Sequence, residues 1–441
     1  MSFPKYGRYK DSGVEWLGEI PKHWEMWKLA HAFEIIGSGT TPTSDNANYY
    51  EGGNIAWLNT GDLNDGNLYE CEKQVTELAL ATHSALKVYP AGTLVIAMYG
   101  ATIGKLAILH FPSTVNQACC VFSGSITIIQ KFLFYCFLGF RNQIVSMATG
   151  GGQPNINQEI LRGLRLAVPP LPEQRSIATF LDRETTKIDE LIKEQRQLID
   201  LLKEKRQAVI SHAVTKGLNP DAPMKDSAIE WLGEVPEHWE VVAIDYRYEL
   251  ALGKMLDEKK ITGSHLAPYL RNIDVQWDNI NIEQLPEMDF KESEVERYSL
   301  ECGDLLVCEG GEVGRSAIWN GQLKQCYYQK ALHRLRPKNM NRDFSRFMFY
   351  QMYAAVKNQY FADSEGKSTI AHLTAEALRR YRFCYPSIEE QRSITTFLDR
   401  ATTELDELIA EAQHAIALLR ERRTALISAA VTGKIDVRSL V

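Results

Sequence analysis

The chain has 441 residues, 45% of them hydrophobic and 24% charged, which is enough for two or three cored domains of ordinary folded protein. A formal charge of −7 and a pI near 5.9 exclude the broadly basic surface typical of a free-standing, nonspecific nucleic-acid binder. The opening residues carry no secretory apolar stretch. The most apolar run, 132–140, falls short of the roughly 18 residues of a membrane span, so a buried element is expected there.

The first recognisable feature in chain order is Asp11-Ser-Gly-Val-Glu-Trp-Leu-Gly-Glu-Ile-Pro-Lys-His-Trp-Glu25. It returns 215 residues later as Asp226-Ser-Ala-Ile-Glu-Trp-Leu-Gly-Glu-Val-Pro-Glu-His-Trp-Glu240, the mark of internal duplication. Trp16, His23 and Trp24, with Trp231, His238 and Trp239, read as scaffold, because residues that read different targets should differ between copies. His23 and His238 have no carboxylate or second ligand at metal spacing nearby in sequence, so neither catalysis nor metal binding is expected of them.

Residues 1–170 read as an α+β module of short strands between glycine turns. Gly92-Thr-Leu-Val-Ile-Ala-Met98 is a buried strand running into Tyr99-Gly-Ala-Thr-Ile-Gly104 and then Lys105. Further loops, Gly37-Ser-Gly-Thr-Thr-Pro42 and Thr149-Gly-Gly-Gly-Gln153, would let backbone approach a partner closely. None of the loops has the Walker or dinucleotide-binding pattern.

From Glu173 to about Thr215, after Pro169-Pro-Leu-Pro172, the pattern is helical. Leu181, Ile188, Gln195, Leu202 and Val209 recur every seven residues, and Ile192, Ile199 and Ala213 widen the stripe. Residues 218–386 repeat the module. Gly303-Asp-Leu-Leu-Val-Cys308 runs into Gly310-Gly-Glu-Val-Gly314 and Arg315, with loops at Gly253 and at Glu365-Gly-Lys-Ser-Thr369. Here residues 274–312 hold twelve acids and two bases. Lys324, Lys330, Arg334, Arg336, Lys338 and Arg342 follow with no acid among them, which predicts a basic face.

The second helix, in 387–441, carries Leu398, Leu405, Ala412, Leu419 and Leu426 flanked by Ile409 and Ile416, with a capping box at Ser387-Ile-Glu-Glu390. Residues 173–192 and 390–409 agree at 16 of 20 positions. Each rod of roughly 40 residues, about 60 Å long, needs a partner for its apolar stripe, and the other copy is the nearest. Pairing is assigned to Leu181, Ile188, Ile192, Leu202 and Val209 against Leu398, Leu405, Ile409, Leu419 and Leu426. The eight cysteines form no Cys-x-x-Cys pair and read as small buried residues of a reducing compartment.

With both copies in view, the chain resembles the specificity subunit of a type I restriction–modification system. The residues that carry this are the Glu-Trp-Leu-Gly-Glu-x-Pro-x-His-Trp openings at 15–24 and 230–239, Gly39-Thr-Thr-Pro42, Pro169-Pro-Leu-Pro-Glu-Gln-Arg175 and Glu390-Gln-Arg392. The resemblance spans essentially the whole chain, although the second copy has Gly253-Lys254-Met255-Leu256 in place of Gly-Thr-Thr-Pro. It implies an α+β fold with internal pseudo-two-fold symmetry. Target-recognition domains at 1–170 and 218–386 would be separated by spacer helices at 171–217 and 387–441, paired as an antiparallel coiled coil.

It further implies a non-catalytic, cytoplasmic subunit that reads a bipartite, asymmetric DNA sequence. Two adenine methyltransferase subunits using S-adenosylmethionine would dock on it, with restriction subunits using ATP and Mg. No aminomethyltransferase or helicase motif is present in this chain. Candidate base readers are Ser38, Thr40, Thr41, Asn59, Lys105 and Gln153 in the first module, and Lys254, Arg271, Arg315, Lys367 and Thr369 in the second. The alternatives are a coiled-coil adaptor with no DNA readout of its own, and a DNA-modifying enzyme with unfamiliar motifs.

Overall fold

The computed structural model describes residues 3–148, 154–256, 262–361 and 372–440. The chain forms two compact units, Met1–Gln195 with His414–Val441, and Arg196–Gln413. Two long helices, Leu171–Lys216 and Ile388–Val431, have 46 and 44 residues, and each contributes one part to either unit.

In the first unit, strands Leu94–Ala97, Leu106–Leu109 and Cys119–Ser123 are apolar on both faces and buried throughout. They form the middle of a five-stranded sheet, with Ile35–Ser38 beyond Cys119–Ser123 at one edge and Gly66–Leu68 beside Leu106–Leu109 at the other. All its pairs are antiparallel except the last. In a smaller sheet, Ile55–Leu58 lies between Gln74–Val75 and a parallel neighbour, Thr114–Val115. The apolar run is the buried core of helix Gln130–Gly139, whose Gly139 faces Ile427 and Val431 of the second long helix.

The second unit repeats the plan. Tyr248–Leu252, Leu332–Pro337, Leu305–Cys308 and Ser316–Ile318 form its main sheet in that order. Leu266–Leu270 lies between Glu287–Asp289 and a parallel Tyr327–Tyr328. In both units, the strand after the opening motif pairs antiparallel with the strand before the long helix: Glu25–Lys28 with Arg165–Val168, and Glu240–Ala243 with Arg382–Tyr385. Each module is thereby closed on itself.

The helices belong to the cores. In the second unit Ile210, Ala213 and Val214 from the end of one helix, and Ile394 and Leu398 from the start of the other, pack with Trp239, Phe347 and Phe383. Inside each unit the helical segments run antiparallel, marked by Arg423–Asp189 at 3.0 Å in the first and Arg206–Asp406 at 3.1 Å in the second. Leu181, Ile188, Ile192, Leu202, Leu398, Leu405 and Leu426 are buried, whereas Val209, Ile409 and Leu419 are half-buried. Val209 yields the buried position to Ile210 because a straight helix drifts about 20° per heptad from a seven-residue row.

A carboxylate, buried at Glu173 and half-buried at Glu390, locks each helix start to its opening motif. Glu173 Oε1 accepts from Tyr6 Oη at 2.7 Å and from Trp24 Nε1 at 2.9 Å, and Oε2 pairs with His23 Nε2 at 2.8 Å. A carboxylate only accepts, so Nε2 carries the hydrogen. Glu390 repeats this with Trp239 at 3.1 Å and His238 at 2.9 Å. Next in sequence, Gln174 accepts from Ile129 N and donates to Thr127 O and Pro169 O, and Gln391 does the same with Phe344 N, Arg342 O and Pro386 O.

Three sequence expectations change. The histidines do have a carboxylate, brought from about 150 residues away. The capping box is half made: Ser387 Oγ accepts from Glu390 N, but the Glu390 side chain is held by Trp239 and His238. Six cysteines are buried, but Cys302 is exposed and Cys71 is half-buried.

Removing a buried charged acceptor strands its donors, at about 1.5–3 kcal/mol. Glu173→Ala, which strands three donors, is expected to lower the urea midpoint of the full chain clearly. Glu390→Ala, with two donors and a more open site, should lower it less.

Candidate nucleic-acid interface

In each unit, loops far apart in sequence meet at the end of the small parallel pair. In the first, Asn116 N donates to Leu58 O at 2.9 Å and its side-chain amide donates to Asn59 Oδ1 at 3.2 Å. Gly39 N reaches Asn116 O at 3.3 Å, Trp57 Nε1 donates to Thr40 O at 3.2 Å, and Thr41 Oγ1 donates to Gln117 Oε1 at 2.5 Å. Met98 N donates to Ala118 O at 2.8 Å, which joins the glycine turn before Lys105 to the same cluster.

The second unit reproduces this backbone with other side chains. Gln329 N donates to Leu270 O at 3.0 Å, and Lys254 bridges to Gln329. Asn272 donates to Gly310 O and Ala331 O. A single-turn 3-10 helix follows the central strand in both units, Thr60–Asp62 and Asn272–Asp274. The Asp caps the preceding amide at 2.7 Å in each: Asp62 at Asn59 N, Asp274 at Arg271 N.

Gly39 and Gly253 are needed for close approach. A Cβ at Gly39 would lie 1.6 Å from Val115 O, and one at Gly253 would lie 2.2 Å from Gln329 O. The first loop's Gly-Thr-Thr-Pro and the second loop's Gly-Lys-Met-Leu are therefore the same backbone device, and only the glycine is shared. A Cβ at Gly61 meets nothing within 4 Å. Gly39→Ala should therefore destabilise the chain by about 1–3 kcal/mol, the scale of overpacking, while Gly61→Ala should leave thermal unfolding essentially unchanged.

The structure brings Thr40, Thr41 and Asn59 together, with Ser38 at the strand end beside them; Tyr89 Oη donates to its carbonyl at 3.2 Å. Lys105 follows the adjoining turn and is half-buried. Gln153, Lys367 and Thr369 lie outside the described residues.

In the second unit, Arg271 is held by Asp274 through Nε at 2.9 Å and Nη2 at 2.8 Å, a rigid fork with Nη1 left over. The other two candidates face inward. Lys254 Nζ is bound by Glu294 at 2.6 Å and lies over Phe290, and Arg315 donates to Asn272 O at 3.0 Å and to Asn272 Oδ1. Both therefore brace loops. Asn116, Gln117 and Gln329, which the sequence did not single out, and Lys330, which it placed only in the basic run, sit at the centre because a parallel strand pair leaves no local pattern.

The predicted basic face does not form as a continuous surface. Arg334 is buried against Glu249 at 2.9 Å, Arg336 is forked onto Asp304 at 2.7 Å, and Arg342 pairs with Glu240 at 2.7 Å. The acidic stretch supplies Glu301 and Asp304 to Arg336, while the partners of Arg334 and Arg342 come from the strands near the start of the module. Lys324 and Lys330 remain exposed.

Nothing in these clusters resembles a reaction centre. Burial holds the Cys308 thiol up at about 11 and Cys120 at about 12. Among the described residues there is no group of three or more His, Cys, Asp or Glu able to hold a metal ion. Among the described residues no helix is long and apolar enough to cross a membrane.

Two duplicated α+β modules, each closed by its own strand pair and followed by a long helix, define a tandem recognition scaffold. The sequence profile described as "Type I restriction modification DNA specificity domain" matches residues 21–201 and 236–417, and the chain belongs to that family. It is similar to the type I restriction enzyme MjaIX specificity subunit of Methanocaldococcus jannaschii, 29% identical over 186 residues, which cover 41% of each chain. The EcoR124I/EcoR124II specificity subunit of Escherichia coli is 27% identical over a stretch covering 40% of this chain and 42% of that one. The match therefore spans about two fifths of either relative. Against the EcoKI specificity subunit of Escherichia coli K12, 22% identity extends over 96% of this chain and 91% of that one.

Two solved structures share the fold. One, from work on complex assembly and conformational transition of the type I R-M system, has a TM-score of 0.71 at 17% identity, over 93% of this chain and 98% of that one. The HsdS subunit of Thermoanaerobacter tengcongensis has a TM-score of 0.55, also at 17% identity, over 94% and 98%.

Proposed function

We propose that this chain is the sequence-reading subunit of a type I restriction–modification complex, with readers at 1–170 and 218–386 and spacer helices at 171–217 and 387–441. One observation carries the assignment. The two units build the same loop cluster on the same backbone and fill it differently, with Asn59 against Arg271, Gly61 against Ile273, and Gln117 against Lys330. A common frame with divergent tips suits two readers of two unlike half-sites. With Nε and one Nη2 hydrogen held by Asp274, Arg271 keeps its Nη1 hydrogens and the other Nη2 hydrogen for the O6/N7 edge of guanine, and Asn59 and Gln117 suit adenine's N6/N7 edge.

Partner docking is supported by the helices. Arg175, Thr179, Arg183, Thr186 and Glu190 lie on one helix face, are exposed, and are identical to the equally exposed Arg392, Thr396, Arg400, Thr403 and Glu407. Solvated positions in a duplication are free to diverge, as Lys187 has from Glu404 just beside the stripe. Two identical stripes fit two copies of one partner, the adenine methyltransferase subunit. S-adenosylmethionine would reside on that partner, and ATP and Mg on restriction subunits, leaving this cytoplasmic chain without chemistry of its own. The acidic balance is then tolerable, because partners that close on the DNA supply phosphate contacts while this chain supplies base contacts.

Exchanging residues 218–386 for those of a relative should change one half of the N6-methyladenine motif read by long-read sequencing of the host genome. An unchanged motif would favour the adaptor reading. Inserting four residues into both helices should lengthen the gap between the halves. Native mass spectrometry should find two methyltransferase subunits on the wild type, one on Arg183→Glu, and none on Arg183→Glu with Arg400→Glu.

A further inference from the structure

Ile273 stands at the apex of the turn Asn272–Asp274, and its side chain is 68% exposed. Its neighbours are tied down: Arg271 to Asp274, Asn272 to Gly310 O and Ala331 O, and Asp274 buried beneath. Of these four residues the isoleucine alone is largely exposed. The equivalent turn of the first unit has the same cap and carries Gly61 at this place, so the turn itself does not require a side chain here.

Across the 329–331 loop, which bonds to both Asn272 and Lys254, Met255 and Leu256 are 62% and 40% exposed, where the first unit has Thr41 and Pro42. The second cluster thus has an apolar rim that the first lacks. Keeping a β-branched side chain in water at a turn apex gives the fold nothing, and its apolar surface gains only when something covers it.

We infer that Ile273 determines specificity in the second half-site by packing on the C5 methyl of a thymine in the major groove, two residues along from the Arg271 fork. It rests on the DNA-reading role proposed above. Base pairs differ in the major groove by donors, acceptors and that single methyl group, and the methyl is what an aliphatic side chain can sense. The pairing of Arg271 with Ile273 predicts a guanine and a thymine close together in the second half-site, and no apolar readout in the first, where glycine stands.

The test uses the chain assembled with its methyltransferase subunits, on duplexes carrying the methylated motif. Each thymine of the second half-site is replaced in turn by deoxyuridine, which removes only the methyl. At one position the wild-type complex should bind about three- to tenfold more weakly, the scale of exposing one methyl group. Ile273→Gly should show that loss already on thymine DNA and no longer distinguish thymine from uracil there. Ile273→Val, which keeps a branched apolar surface, should still distinguish them.

The inference is overturned if Ile273→Gly discriminates as well as wild type, if wild type is indifferent to every substitution, or if the second half-site has no thymine. If exchanging residues 218–386 leaves the motif unchanged, the reader assignment fails and this inference with it. An exchange that does change the motif, together with Ile273→Gly discriminating as well as wild type, would sink the inference alone.

Discussion

Each half of this protein depends on one carboxylate, buried at Glu173 and half-buried at Glu390. Glu173 and Glu390 sit in the first turn of a long helix and receive the indole and imidazole hydrogens of the opening motif from about 150 residues away. An uncompensated carboxylate would be costly there, and with fixed donors it becomes a geometrical pin. It sets where the helix leaves the module, holding the opening motif next to the strand pair that closes it. The glutamine beside it then satisfies backbone groups on the loop leading to the core helix. This is why the Glu-Gln pair and the Trp-Leu-Gly-Glu-x-Pro-x-His-Trp segment recur together.

From that pin, variation and constancy separate physically. The sheet centres are buried on both faces and mostly apolar, with His333 and Arg334 the polar members in the second unit, while the loops at the end of the parallel pair have backbone fixed by Gly39 or Gly253 and by Asp62 or Asp274. Side chains at the tips are then nearly independent of stability, so Asn can stand where the other copy has Arg, and Gly where it has Ile. The helices are constant for the opposite reason: one face is spent on the core and the paired helix, and another is kept identical although solvated.

Charge shows the same economy. The acidic and basic stretches of the second module look like opposed surfaces in one dimension, but folding forks Arg336 onto Asp304 and buries Arg334 against Glu249. Buried arginines with good geometry brace the frame more than they attract a polyanion. A chain of this kind suits discrimination among bases better than long-range capture of DNA.

Repetition, period and punctuation were legible in the sequence by itself. The duplication, the two long helices, the buried strands at 94–97 and 305–308 and the glycine-marked loops all follow from local pattern, because helix stripes and core strands write their periodicity into neighbouring residues. Tertiary structure alone decided which distant residues meet. His23 acquires a carboxylate, Lys254 and Arg315 turn inward onto Glu294 and Asn272, and Asn116 and Gln329 come to the centre of their clusters. Such meetings depend on a parallel strand pair and on helices that close each core from afar, and contacts of that range leave no periodic trace in a linear chain.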